Sequence, residues 1–65
     1  MIHQYWRLDL PGESPSAMEI ETDESRALKM HELLTRDGFQ ITVISGGDYI
    51  LLNEEIDGDG KDVTG

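Results

Sequence analysis

Apolar and polar side chains alternate from Ile2 to Leu10. Ile2, Trp6, Leu8 and Leu10 fall on one side of an extended chain, and His3, Tyr5, Arg7 and Asp9 on the other. Pro11, Gly12, Ser14, Pro15 and Ser16 then read as a loop. Ala17 to Glu21 resumes the alternation, with Met18 and Ile20 set between acids, and predicts a short amphipathic edge strand. A different period follows. Asp23 to Asp37 contains no Gly or Pro, and Ala27, Met30, Leu33 and Leu34 lie within about 120° of one another at 100° per residue. Thr22 offers an N-cap hydroxyl, and Asp23 and Glu24 complement the helix dipole. Gly38 suits the left-handed C′ position, and Phe39 the apolar contact with Leu34 that a Schellman motif makes. Start, stripe and stop together predict one helix.

Period two returns at Phe39 to Ile44, which is rich in β-branched residues. Gly46-Gly47 can supply the positive φ of a two-residue hairpin turn, after which Asp48 to Asn53 would return as a fourth strand. That register sets Ile44 opposite Tyr49, Val43 opposite Ile50 and Ile41 opposite Leu52. Phe39, Ile41, Val43, Ile50 and Leu52 would then share the core face, and Gln40, Thr42, Ile44, Tyr49, Leu51 and Asn53 the outer one.

The expected fold class is therefore α+β, a ββαββ domain over residues 1–53 with one helix packed on one face of its sheet. The heavy runs Tyr5 to Leu8 and Ile50 to Leu52 belong in the centre, with the second and third strands at the edges. This arrangement resembles a β-grasp sheet of order 2-1-4-3. The resemblance is one of element order and implies nothing about activity. The alternative is a three-stranded βαββ sheet with residues 11–21 as plain loop. Residues 54–65, with five acids, one Lys and three Gly, read as a flexible acidic tail.

Composition narrows the partners. The chain has 65 residues, no Cys and a net charge of −9. A domain of that size buries only about 60% of its unfolded surface and has no disulfide to help it. The charge argues against direct binding to nucleic acid or an anionic membrane, since both depend on Lys and Arg. No basic-then-apolar leader follows Met1 and no run approaches a membrane span, so a cytoplasmic protein is expected. The tail contributes −4 of the −9, five acids against Lys61.

Candidate chemistry is sparse, and no cofactor, metal ligand set or catalytic residue is assigned. Glu55 to Lys61 resembles the opening of an EF-hand calcium loop, with Asp57 and Asp59 at ligand positions and Gly60 at the turn. It departs from that pattern at Glu55 and Asp62, and the position-twelve Glu is missing. His3 and His31 are expected in different layers, so they do not make a metal pair. Ser14, Ser16, Ser25 and Ser45 stand where loops, caps and turns use serine, and Gly46-Gly47 does not open a phosphate loop.

The expectation for function rests on surfaces. A sheet covered on one side only would leave Tyr5, Arg7, Ile44, Tyr49 and Leu51 as a contiguous contact patch. Glu13, Glu19, Glu21 and Glu24 would supply an acidic surface for a basic protein. In size and charge the chain resembles small acidic phage proteins that occupy nucleic-acid channels. The reading is a non-enzymatic interaction protein that meets another protein or a second copy of itself. A structural or accessory domain is the alternative, and a weak calcium-binding tail a third.

Overall fold

A computed structural model describes residues 1–55 in full and continues the backbone to residue 61. The elements are β1 (Ile2–Asp9), β2 (Ser16–Thr22), α1 (Glu24–Arg36), β3 (Gln40–Ile44) and α2 (Gly46–Lys61). β1 lies between β2 and β3 and pairs antiparallel with both. The three-stranded alternative thus fits in strand number, although β2 is the strand that it left as loop. The four-stranded grasp sheet does not form, because residues 48–53 lie in α2.

The face of β1 that carries Ile2, Gln4, Trp6 and Leu8 packs under α1. Trp6, Leu8, Ile20 and Ala27 are buried there, with Ile2, Met18, Met30, Leu34, Phe39 and Ile41 packed around them. Trp6 is 2% exposed. Its indole N–H donates to Gln4 Oε1 at 3.0 Å, which satisfies the one polar atom that this residue takes into the core.

α1 ends as the sequence indicates. The Gly38 N–H donates to the Thr35 carbonyl at 3.0 Å and the Phe39 N–H to that of Leu34 at 3.1 Å, the paired bonds of a Schellman motif. Gly38 takes φ +101°, a conformation in which a side chain is strained. Two details differ from expectation. The N-cap is Asp23, not Thr22, because its carboxylate accepts from the Arg26 N–H at 2.8 Å. Leu33 is 48% exposed, so the buried stripe narrows to Ala27, Met30 and Leu34.

The segment after β3 turns helical because Ser45 caps it. Ser45 Oγ accepts from the Asp48 N–H at 3.1 Å, and its carbonyl accepts from the Tyr49 N–H at 2.9 Å to start the helical ladder. Burial in α2 then follows a helical period. Tyr49, Leu52 and Asn53 are turned inward at i, i+3 and i+4, while Ile50, Leu51, Glu54 and Glu55 are exposed. α2 lies against β1 and β2, on the face opposite α1, where the Tyr5 and Tyr49 rings sit 4.5 Å apart. The helix begins beside the Tyr5 ring, where a Cβ on Gly46 would stand 3.4 Å from Tyr5 Cε2, in ordinary contact. The sheet is therefore covered on both faces.

The two sheet edges differ in charge. β2 carries Glu19 and Glu21, whereas β3, Gln40-Ile41-Thr42-Val43-Ile44, carries none. α2 also runs past the domain boundary expected at residue 53. The Asp57 and Asp59 side chains, on which the calcium-loop fragment depends for its ligands, lie outside what the structure describes. Among the described residues no helix is long and apolar enough to cross a membrane.

Candidate functional site

The outer face of β1 and β3 and the first turns of α2 together bring five expected contact residues close. Tyr5 stacks on Tyr49, and Arg7, Ile44 and Leu51 line a cleft of about 300 Å³ with Asp48, Leu52 and Glu55. The residues meet for a reason other than the one expected. Tyr49 and Leu51 come from a helix laid on the sheet, not from a fourth strand within it. The tyrosines are consequently half-buried on each other, and the exposed apolar surface moves to Leu51 and Ile50, 60% and 59% exposed.

The lining of the cleft is part apolar and part charged. Ile44, Leu51 and Leu52 line it together with Asp48 and Glu55, which stand two turns apart on α2. Arg7 is the cation of the cleft. Its Nε lies 3.1 Å from Asp9 Oδ2, so its charge is already engaged by a neighbour on the same strand face. The two carboxylates of α2 therefore set the sign of the site.

The four acids of the expected acidic surface do not form one patch. Glu13 lies in the β1–β2 loop, and Glu24 opens α1 at the opposite end of the hairpin, where Thr22 pairs with Ile2. Six residues of strand separate those ends, roughly 20 Å at strand rise. Glu19 and Glu21 do adjoin, on the β2 face that carries neither Met18 nor Ile20. His3 joins them, its Nε2 lying 2.6 Å from Glu19 Oε2.

On the other side of the sheet, a smaller cleft of about 190 Å³ runs between α1 and β3. Leu28, His31 and Val43 line it with Trp6, and the His31 ring meets the indole edge-on at 5.6 Å. The two histidines thus lie on opposite sides of the sheet. Val43 faces the α1 layer as the alternation indicates, yet it is 60% exposed at the mouth of this cleft. Leu28, off the buried stripe in the helical wheel, is exposed beside it. Sequence reasoning missed Asp48 and Glu55 as site residues. The Ser-x-x-Asp spacing of Ser45 and Asp48, a helix-start signature, was the signal that could have placed them.

No family model matches this chain, and no curated protein or solved structure does either.

Proposed function

We propose that this chain is a small acidic binding protein that acts by occupying a surface of a partner protein, without chemistry of its own. The observation that supports this reading is the cleft between β3 and α2. Its apolar lining of Ile44, Leu51 and Leu52 can seat an aliphatic side chain, and Asp48 and Glu55 can each receive a Lys or Arg beside it. The partner is then a basic protein that offers an apolar residue flanked by cations. The chain's net charge of −9 speeds the encounter and disfavours acidic competitors. The second-copy alternative was premised on an open sheet face. α2 occupies that face, so the partner-protein reading is preferred.

The test is a pull-down from the native host at low and moderate salt, with wild type, Leu51→Asp, the double variant Asp48→Lys/Glu55→Lys, and Leu28→Asp as a control on the opposite side. The expected result is a basic protein retained by wild type and Leu28→Asp, lost from the other two, and released as salt rises. Equal retention by Leu51→Asp, or retention that salt does not weaken, would refute the reading.

A further inference from the structure

We infer that His3, Glu19 and Glu21 form a surface site for a zinc-class divalent cation, separate from the cleft under α2. The three side chains come from two paired strands. His3 and Glu21 are direct cross-strand partners, and Glu19 lies one step along the same face of β2. Direct partners in an antiparallel pair hold their Cβ atoms about 5 Å apart, and diagonal neighbours stay within reach of long side chains. The backbone ladder thus presents one imidazole and two carboxylates to a single point. One ligand atom from each lies within 4.8 Å of the other two, and all three residues are exposed to solvent.

The geometry is close to what an ion needs. Zinc takes imidazole nitrogen at ~2.0–2.1 Å and carboxylate oxygen at ~2.0–2.2 Å, so tetrahedral donors stand about 3.3 Å from one another. His3 Nε2 and Glu19 Oε2, at 2.6 Å, need to part slightly. The widest pair, no more than 4.8 Å apart, needs to close by at most about 1.5 Å. Both changes are side-chain rotations on a fixed strand frame. The Tyr5 ring, 5.1 Å from the His3 ring, limits the imidazole on one side and leaves its Nε2 edge toward the glutamates. In the absence of an ion the imidazole N–H donates to Glu19. An ion would replace that proton between the same two atoms.

Donor type selects the metal. One imidazole with two carboxylates suits zinc and its borderline neighbours, while calcium and magnesium prefer all-oxygen sites. Three protein ligands leave a fourth position for water or for a donor from another molecule.

The experiment is a titration of the full chain with Zn²⁺, followed by the imidazole proton resonances of His3 and His31, with Mg²⁺ as the control cation. Zinc is expected to shift His3 saturably at one equivalent and to leave His31 in place, while Mg²⁺ moves neither. Glu19→Gln/Glu21→Gln retains His3 and exchanges exposed carboxylates for neutral isosteres. It should weaken binding at least ten-fold, the lower bound seen when even an outer-shell partner of a metal ligand is lost. Circular dichroism of that variant should match wild type. Zinc uptake that leaves His3 unmoved, or a double variant that binds as wild type does, would overturn the site.

Discussion

Ile50 and Leu52 distinguish a helix from a strand at α2 by their response to truncation. In a strand they would share the buried face and both would be costly to remove. In the helix Leu52 is 7% exposed and Ile50 59% exposed, so the costs separate. Truncating a buried Leu to Ala costs about 2–5 kcal/mol, and a site beneath a surface helix can partly collapse, which favours the low end, about 2 kcal/mol. A domain of this length has roughly 3–10 kcal/mol in total at the usual value per residue. For a domain near this size each kcal/mol moves Tm by about 4–8 °C, so Leu52→Ala should melt roughly 8–16 °C lower. Ile50→Ala should stay within about 0.5 kcal/mol of wild type, with Ala the better helix former offsetting the lost contact. Urea unfolding followed by Trp6 fluorescence and by far-UV circular dichroism measures both. Equal losses at positions 50 and 52 would restore the strand and refute the helical assignment.

Two further outcomes follow from the same framework. Ser45→Ala removes the oxygen that accepts from the Asp48 N–H and should cost about 1 kcal/mol, read as a lower urea midpoint with loss of helical signal. Trp6→Ala empties the centre of the α1 core and should cost about 3–5 kcal/mol, a large part of the whole stability, so the amide spectrum should collapse toward unfolded dispersion. A dispersed spectrum for that variant would mean that the core does not depend on the indole.

Much of the fold is legible in the residues, and the part that is not has a physical cause. α1 could be read because its apolar stripe and Schellman stop agree over a long segment, with the N-cap one residue later than expected, and β1 because its alternation is sustained. Residues 48–53 are too short and too apolar for period alone to choose between strand and helix. There Gly46-Gly47 suggested a hairpin, while Ser45 and Asp48 carried the competing instruction to start a helix. Local capping prevailed, and the consequence was large, since a second helix covers a face that a fourth strand would have left open. The grouping of His3 with Glu19 and Glu21 was beyond sequence reasoning of this kind. Alternation could place each on the outer side, but only the β1–β2 register, which sets residue 3 against residue 21, brings them together.

The uneven edges of the sheet bear on how this protein behaves when concentrated. An uncharged, β-branched edge such as β3 is a template for another strand, whereas glutamates along β2 discourage approach. Salt that screens the net charge removes the main barrier to such contact. Two β3 edges joined antiparallel would form one six-stranded sheet whose free margins are both β2. Growth stops there, because each margin now carries the glutamates. Pairing through β3 would therefore end at a closed pair and could not propagate as a fibre.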